Sequence, residues 1–266
     1  MITRYLKIIL KKKKPLRFIF GIFLSLVGIS RFFIIDRKGY RLRFYPTSLS
    51  LNYWYDNSQR TYDEDILRNY LKEGDFFVDI GSNVGALTLL ASKLVGPKGL
   101  IYSIEPNPRI YSYLLGNLRL NNSKDNVVSL NIALGERDGF VNISNSVQDD
   151  CNSISDEGGI KIRLNKLDSI LPKRIAQIDL LKIDVEGYEK FVLEGCKNSL
   201  IKIKYIYFES FETNFNKYGY KSSDLFDFLI KNGYTIHKIE NGFISNKIKN
   251  NYSSTKCENL LAVRHN

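Results

Sequence analysis

The sequence predicts an α/β fold built on a doubly wound, mostly parallel sheet. From residue 76 onward, seven apolar runs follow one another, and helical patterns fill most of the gaps between them. Near-continuous apolar strands that alternate with helices are typical of parallel sheets covered on both faces. A turn containing Gly81 and Gly85 follows the first run, and such turns let a ligand approach the main chain closely.

The N-terminal segment differs from the rest of the chain in its charge. The formal net charge is +11, and twelve of the 39 Lys and Arg residues lie in residues 1–43 beside only one of the 28 acids, Asp36. Residues 44–266 are therefore neutral, which argues against nucleic acid as a partner of the globular part. The basic character belongs to one end of the chain.

That end also carries an apolar run, from Phe18 to Ile29, about half of the roughly 20 residues that a spanning helix needs. A short apolar block beside basic residues is typical of a helix that lies in the headgroup region of a bilayer. One interpretation is thus peripheral membrane contact through residues 1–31 of a cytoplasmic protein. The other is an amphipathic helix packed on its own domain. A secretory signal is disfavoured, because no small-x-small cleavage site follows Ile29.

Cysteine and histidine spacing indicates neither a zinc site nor a disulfide framework. The three cysteines, Cys151, Cys196 and Cys257, lie far apart without a CxxC pair. The two histidines, His237 and His265, do not have the spacing of metal ligands. We therefore expect a reducing compartment and no chemistry based on a histidine base.

The elements before residue 76 divide the chain into two parts. Residues 32–45 alternate around Asp-Arg-Lys-Gly, which predicts a β-hairpin. Residues 50–59 show no clear period and predict a surface loop, whereas a helix with acids in its first turn is predicted from Thr61. We expect an N-terminal extension over residues 1–45 and one catalytic-size domain over residues 46–266.

The elements from residue 76 onward follow the α/β rhythm. The predicted strands are 76–80, 100–104, 127–132, 178–183, 203–209, 234–239 and 259–263, and the predicted helices are 84–95, 108–121, 187–200 and 222–232. The polar stretch 133–177 predicts a mobile flap with one short strand near 160–164. No convincing helix separates the last two strands, so a terminal antiparallel hairpin is expected.

The turn after the first strand carries features of a nucleoside site. It reads Gly-Ser-Asn-Val-Gly, with Asn83 where a dinucleotide-binding turn has its second glycine, so a pyrophosphate fits it poorly. Glu105 ends the second strand and can accept both hydroxyls of a ribose. Asp79 supplies negative charge at the end of the first strand. A glycine turn and a ribose acid without phosphate chemistry indicate a nucleoside that carries a cationic sulfonium.

Six motifs make residues 60–265 resemble the FkbM family of S-adenosylmethionine-dependent O-methyltransferases. They read GDFFVDIGSNVGALTLLAS, IEPNP, NIALGERDG, LDSIL, IDLLKIDVEGYEKFVLEG and IYFES. The resemblance implies the class I methyltransferase (Rossmann-like) fold, with seven strands of which the last is reversed. It also implies cofactor contacts at Asp79, Gly81, Asn83, Gly85 and Glu105, and near the adenine at Asn131 and Ala133.

The resemblance places the fourth strand beside the first, so the acids that follow it should face the methyl group and its acceptor. An alcohol must lose its proton to attack, either to a carboxylate or with the help of a bound divalent cation. Asp184 is the predicted base or metal ligand, with Glu186 and Glu209 in support, and Lys182 would lower the pKa of the acid or of the hydroxyl. Alternatively, Glu186 is a helix N-terminal acid and Lys182 a structural ion-pair partner.

The expected acceptor is a hydroxyl on a sugar of a glycan or glycolipid, or on a polyketide-like small molecule. Aromatic side chains at Tyr53, Trp54, Tyr55, Phe208 and Phe211 would stack on a pyranose ring or serve core packing. Two other functions stay open, a nucleic-acid methyltransferase and a non-catalytic membrane- or glycan-binding module. The neutral core argues against the first, and the intact glycine turn with Glu105 argues against the second.

Overall fold

A computed structural model describes residues 12–58, 61–123, 125–144, 154–155, 158–249 and 252–265. The helices are α1 Pro15–Leu26, α2 Ser48–Tyr55, α3 Thr61–Tyr70, α4 Ala86–Val95, α5 Pro108–Leu120, α6 Leu167–Ile170, α7 Glu189–Glu194, α8 Glu212–Asn216 and α9 Ser222–Lys231. The strands are β1 Ile34–Arg37, β2 Tyr40–Arg43, β3 Phe76–Ile80, β4 Leu100–Ile104, β5 Val127–Leu130, β6 Ala133–Leu134, β7 Gly139–Ile143, β8 Ile154–Ser155, β9 Ile160–Asn165, β10 Ile178–Ile183, β11 Ile203–Ser210, β12 Tyr234–Glu240, β13 Phe243–Lys247 and β14 Glu258–Arg264.

The central sheet has the order β13-β12-β14-β11-β10-β3-β4-β5. All seven predicted strands belong to it, β10 pairs in parallel with β3, and β14 runs antiparallel to β11 and β12. The class I methyltransferase fold that the resemblance implied is therefore confirmed. Neighbouring residues of β10 point into different cores, Leu180 into one and Leu181 into the other, because successive strand side chains face opposite sides.

The strand count differs from the expected seven, because β13 adds an eighth strand at the edge. It forms a hairpin with β12 through Asn241 and Gly242, whose φ angles are 51° and 77°. An Asn-Gly pair favours such tight hairpin turns, since both residues tolerate positive φ. This signal is readable in the sequence and predicts the hairpin that the strand pattern alone missed.

The described part of the stretch 133–177 contains more strands than expected. The predicted short strand forms as β9, and it joins β6, β7 and β8 in a second sheet of order β6-β9-β7-β8. The rest of the predicted flap, residues 145–153 and 156–157, lies outside the described residues. Helix α7 is shorter than the predicted 187–200, because it ends at Gly195.

The segment before β3 contains the predicted hairpin, β1 with β2, and one error. The predicted surface loop at 50–59 is mostly helix α2. The hydroxyl of Thr47 caps α2 by accepting the amide of Ser50 at 3.0 Å, and Tyr53 and Tyr55 are buried. Helix α1 packs on α2, which explains why an aromatic stretch without a clear polar face is stable as a helix. The division at residue 45 stays a prediction.

In the part of the chain that the structure describes, every helix is too short or too polar to cross a bilayer.

Candidate active site

A pocket lies at the carboxyl ends of β3, β4, β10 and β11, where ligands bind in open α/β sheets. The glycine turn forms its floor. The main-chain amides of Gly81 and Ser82 both donate to the carbonyl of Ile104 at 3.0 Å. Gly81 and Asn83 have φ angles of 74° and 50°, and this left-handed geometry turns the chain sharply from β3 towards α4.

Gly85 serves packing, since it is not among the residues that line the pocket. Its φ is 84°, and a Cβ there would lie 2.3 Å from Cδ1 of Leu114. A glycine at this position lets α4 approach α5. The direct cofactor contact expected at Gly85 therefore stays a prediction, and the geometry supports an indirect role.

Glu105 lies on the pocket wall with both carboxylate oxygens oriented. Oε2 accepts the amide of Asn83 and Oε1 accepts the amide of Asn107, each at 2.9 Å. Each oxygen keeps a second lone pair that can accept a hydroxyl. Burial raises the pKa of Glu105 to about 7, against the lowering effect of these two amides. Hydroxyl donors on the carboxylate would favour its ionised form.

Asp79 and Ser82 present polar atoms to the pocket that have no hydrogen-bond partner among the described residues. They are Oδ1 of Asp79 and Oγ of Ser82, both buried. The other oxygen of Asp79 accepts the hydroxyl of Thr88 at 2.6 Å. Oδ1 of Asp79 has an ion-pair contact with Lys182 at 3.5 Å but no hydrogen bond. Buried polar atoms are rarely left without a hydrogen bond, so these two indicate a polar ligand in the pocket.

These residues fit S-adenosylmethionine. Glu105 can accept the ribose hydroxyls, and Oδ1 of Asp79 can accept the amino group of the methionine part. Ala133 and its neighbours Ile132 and Leu134 form an apolar wall. Asn131 is not on this wall. Its side-chain amide donates to the carbonyls of Glu105 and Pro106, at 2.8 and 2.9 Å, so it orients the main chain that carries the ribose acid.

Three half-buried carboxylates meet at the other end of the pocket. Asp184, Glu186 and Glu209 each place one oxygen within 4.8 Å of the other two. The ammonium of Lys182 lies 3.5 Å from Oδ2 of Asp184 and 3.5 Å from Oδ1 of Asp79. It also donates to the carbonyl of Gly81 at 2.7 Å. Lys182 therefore links the glycine turn to the acids. Its contact with Asp184 fits the expectation that the two side chains share one face, whereas its contact with the glycine turn was not expected.

Glu186 combines a left-handed backbone conformation with a raised carboxyl pKa. Its φ is 57°, a left-handed conformation that costs roughly 1–3 kcal/mol for a residue with a side chain. Burial, and then the charges of Glu209 and Asp184, raise its pKa to about 7, while the amide of Asn214, which donates at 3.1 Å, lowers it. A group with a pKa near neutral pH is suited to taking a proton.

Glu189 and Cys257, next to the clustered carboxylates, were not predicted from the sequence. Oε1 of Glu189 accepts the amides of Val185 and Gly187 at 3.0 and 3.4 Å and so holds the loop that carries Glu186. Burial raises the pKa of Glu189 to about 8. Cys257 hydrogen-bonds to Glu209, and burial and that carboxylate raise the pKa of its thiol to about 12. Glu189 stands in the motif DVEGYE, so a signal existed for it.

The N-terminal helices close one wall of the pocket. Leu49 and Tyr53 of α2 and Asp63 of α3 line it. Asp63 accepts the hydroxyl of Tyr207 at 2.5 Å and the amide of Asn259 at 3.2 Å. Tyr53 was among the aromatic candidates named from the sequence, whereas no local pattern indicated Leu49 or Asp63.

The other aromatic candidates have less direct positions. Trp54 stacks on Phe44, Tyr55 packs edge-on against Phe18, and Phe208 is fully buried in the core. Phe211 caps α8 and is not on the pocket wall. Of the five aromatic residues named from the sequence, Tyr53 is the one that lines the pocket.

Three characterised proteins are similar to the chain in sequence. Hexuronic acid methyltransferase AglP of Haloferax volcanii is 27% identical over 182 residues, which cover 66% of this chain and 73% of that protein. 2-O-methyltransferase NoeI of Sinorhizobium fredii is 26% identical, covering 52% and 64%. Methyltransferase sdnD of Sordaria araneosa is 29% identical, covering 47% and 61%. The chain thus spans less than two thirds of the latter two.

Two solved structures align with the chain at low similarity. They are methyltransferase FkbM from Methylobacillus flagellatus, with 15% identity, a TM-score of 0.47 and coverage of 80% of this chain and 52% of that one, and a putative rRNA methylase from Clostridium thermocellum, with 13% identity, a TM-score of 0.47 and coverage of 76% and 93%.

The family comparison covers more than half of the chain. The model described as the methyltransferase FkbM domain matches residues 79–236, from Asp79 at the end of β3 into β12. This range contains the glycine turn, Glu105 and the three clustered carboxylates. The chain therefore belongs to the FkbM family of S-adenosylmethionine-dependent methyltransferases.

Proposed function

We propose that the protein transfers a methyl group from S-adenosylmethionine to a hydroxyl of a sugar in a glycan or glycolipid. The observation that carries this proposal is the convergence of Asp184, Glu186 and Glu209 within 4.8 Å. A hydroxyl needs a proton acceptor or a cation to become a nucleophile. The cluster provides acceptors, and it lies in the same pocket as Asp79 and Glu105.

The first task of the chain is to hold the cofactor in one orientation. Bound S-adenosylmethionine supplies an electrophilic methyl carbon on a sulfonium. Glu105 accepts the ribose hydroxyls, and Asp79 accepts the amino group. Gly81 has no side chain, so the turn can lie against the main chain of Asp184, and this contact sets the distance between the cofactor end and the acid end of the pocket. Orientation of this kind supplies much of the rate enhancement in a displacement reaction.

The second task is to remove the proton from the acceptor hydroxyl. Asp184 lies on the pocket wall with its Oδ2 3.5 Å from the ammonium of Lys182, so we assign it as the base or as the ligand of a divalent cation. Glu186 and Glu209 complete a set of three oxygen donors that Mg²⁺ or Ca²⁺ would accept. Both schemes use the same three side chains, and removal of divalent cations distinguishes them.

A sugar is the acceptor that the relatives favour. AglP is a hexuronic acid methyltransferase and NoeI is a 2-O-methyltransferase. In this chain, Tyr53 offers an aromatic surface on the pocket wall, and Asp63 offers a buried carboxylate. Aromatic rings and carboxylates are the groups that bind the apolar face and the hydroxyls of a pyranose.

The experiment offers labelled S-adenosylmethionine and a panel of acceptors to the purified protein. The panel contains uronic acid glycans, neutral glycans, glycolipids, a polyketide-like alcohol and RNA. We expect label in a glycan or glycolipid fraction and its loss with Asp184→Asn. Label in RNA alone would support a nucleic-acid methyltransferase, and cofactor binding without transfer to any acceptor would support a binding module. Membrane contact through residues 1–31 is a separate proposal, since it depends on the exposed face of α1 and not on this pocket.

A further inference from the structure

Helix α1 has two faces, and one of them packs on the domain. The guanidinium of Arg17 lies 4.7 Å from the ring centre of Trp54 in α2. Gly21 and Leu24 are buried, and a Cβ on Gly21 would meet Leu51 and Trp54 at 2.7 Å. These contacts use one side of the helix, because positions 17, 21 and 24 fall on one stripe. The helix is therefore docked on its own domain.

The opposite face of α1 is apolar and exposed. We call it the outer face, and its residues are Leu16, Ile19, Phe20, Phe23, Leu26 and Val27, with exposed fractions of 82%, 47%, 49%, 53%, 80% and 48%. Their spacing of three and four places them on one stripe. An apolar surface of this kind on a water-soluble domain marks an interaction site.

Basic residues surround the outer face. Lys13 and Lys14 precede α1 and Arg31 follows it, all of them exposed. The side chain of Lys13 is 62% exposed even though it lies 3.4 Å from Asp56. In the sequence, Arg4, Lys7, Lys11 and Lys12 precede these residues without an intervening acid. An apolar stripe within a cationic rim is complementary to a surface that is apolar inside and anionic outside.

We propose that the outer face of α1 docks on an anionic lipid membrane, with the helix lying in the plane of the surface. The apolar side chains enter the boundary between headgroups and acyl chains, and the basic residues contact the lipid phosphates. A second copy of the chain fits less well, because a twofold contact between two outer faces would bring the two cationic rims together. Both earlier interpretations of this segment are thereby combined, since one face packs on the domain and the other meets lipid.

The membrane contact is close to the acceptor side of the pocket. Helix α1 packs on α2, and α2 contributes Leu49 and Tyr53 to the pocket wall. One helix thus separates the lipid-binding face from the wall that we assign to the acceptor. This proximity suits an acceptor that is itself held at a membrane, and it rests on the proposed function, whereas lipid docking does not.

The test measures co-sedimentation of the full-length protein with two kinds of vesicle, one of phosphatidylcholine and one of equal parts phosphatidylglycerol and phosphatidylcholine. We expect binding to the anionic vesicles, weaker binding as salt increases, and little binding to phosphatidylcholine. The double variant Phe20→Ser, Phe23→Ser should reduce the vesicle-bound fraction about tenfold or more, because two inserted aromatic side chains are lost. Emission of Trp54, the single tryptophan, should stay the same if α1 remains docked.

The matched control replaces two exposed phenylalanines elsewhere, Phe140→Ser with Phe243→Ser, which are 60% and 59% exposed. It should bind vesicles like the wild type. Equal loss in both double variants would overturn the proposal, as would a wild type that stays in the supernatant with both vesicles. Light scattering provides a further test. If the wild type is a dimer and the double variant Phe20→Ser, Phe23→Ser is a monomer, the outer face binds a second copy of the chain and the proposal is wrong. Cofactor binding should be unchanged throughout, so failure of lipid binding leaves the proposed enzymatic function untouched.

Discussion

Gly81 lies directly against the main chain of Asp184. A Cβ at position 81 would stand 1.9 Å from the carbonyl oxygen of Asp184, far inside the closest approach of two atoms. The amide of Asp184 in turn donates to the carbonyl of Ile80 at 3.1 Å. The glycine turn and the loop of acids are therefore one packed unit, and the distance between them depends on the missing side chain.

Gly81→Ala should abolish cofactor binding, because the added methyl group must push the turn and Asp184 apart. The matched control is Gly28→Ala. Gly28 has a φ of 75°, close to the 74° of Gly81, but a Cβ there would meet no atom within 4 Å. Both variants carry the roughly 1–2 kcal/mol cost of a left-handed alanine. The difference in cofactor affinity and stability between them therefore reports the steric overlap with Asp184 alone. Calorimetry with S-adenosylmethionine and thermal unfolding measure it, and equal cofactor affinity in the two variants would contradict the argument.

Affinity for the cofactor should fall below about pH 7. The ribose hydroxyls donate to an ionised Glu105, and burial raises the pKa of that carboxyl to about 7. Protonation removes an acceptor, so the dissociation constant should rise by about tenfold per pH unit well below 7. Glu105→Gln should weaken binding between about tenfold and a hundredfold and lose this pH dependence. The exposed control Glu240→Gln should behave as the wild type; a titration that is flat from pH 5 to pH 8 would exclude Glu105 as the ribose ligand.

Asp184→Asn should reduce turnover by about a hundredfold or more, because a base or cation ligand is lost. Binding of S-adenosylmethionine should change far less than turnover. The exposed control Asp227→Asn, on α9, should keep full activity. An unchanged methylation rate in Asp184→Asn would remove the residue from the mechanism.

The same assay with a chelator decides between the base and the cation. If a divalent cation is required, EDTA abolishes turnover, Mg²⁺ restores it, and Asp184→Asn needs a higher Mg²⁺ concentration for the same rate. If Asp184 acts directly as the base, EDTA has no effect on the wild type. Glu209→Gln provides a second ligand variant for the same comparison.

Turnover at saturating cofactor should rise with pH through about 7. Burial and the charges of Glu209 and Asp184 raise the pKa of Glu186 to about 7, so its carboxylate becomes available as an acceptor or ligand only near neutral pH. Glu186→Gln should remove the rise in turnover near pH 7 and lower the maximal turnover at higher pH. Because the cofactor is saturating, the weaker cofactor binding caused by protonation of Glu105 does not affect the measured rate. If turnover of Glu186→Gln rises with pH in the same way as that of the wild type, another group is responsible for the titration.

Glu189→Gln should change how stability depends on pH. The pKa of Glu189 is about 8 in the folded protein and near 4.5 in the unfolded chain, so between these values the folded state binds a proton that the unfolded state releases. Stability therefore falls as pH rises through this window, and the neutral glutamine lacks this contribution. Thermal unfolding from pH 5 to pH 8 should show a smaller decline for Glu189→Gln than for the wild type. Glu194→Gln, in the same helix, should follow the wild type.

Local pattern was sufficient for the seven predicted strands and for the positions of the residues that we assign to the cofactor. Strands β3, β4 and β10 form at their predicted bounds, because a strand buried on both faces must be apolar at nearly every position. Asp79, Gly81 and Glu105 stand at strand ends or in a tight turn, so their places follow from the ends of those runs. The extra strand β13 was also within reach, since Asn241-Gly242 is a hairpin signal.

The error at α2 has a different origin. Residues 48–55 show only a weak helical pattern, and the helix forms because α1 covers one side of it while Tyr53 and Tyr55 enter the core. Burial against a distant segment outweighs local preference here. The same contact decides the orientation of α1, whose composition alone allowed either packing or membrane contact.

By itself, the sequence of this protein determined the apolar runs, the turn that needs glycine and the acids that end the strands, since each depends on residues close together in the chain. Only the tertiary structure decided that Glu209 joins Asp184 and Glu186, that Asp63 and Tyr53 close the pocket, and that the described residues leave one face of α1 exposed. The physical reason is that these contacts join segments far apart in sequence, and the order of strands in the sheet, with the packing of helices upon it, selects which of them meet.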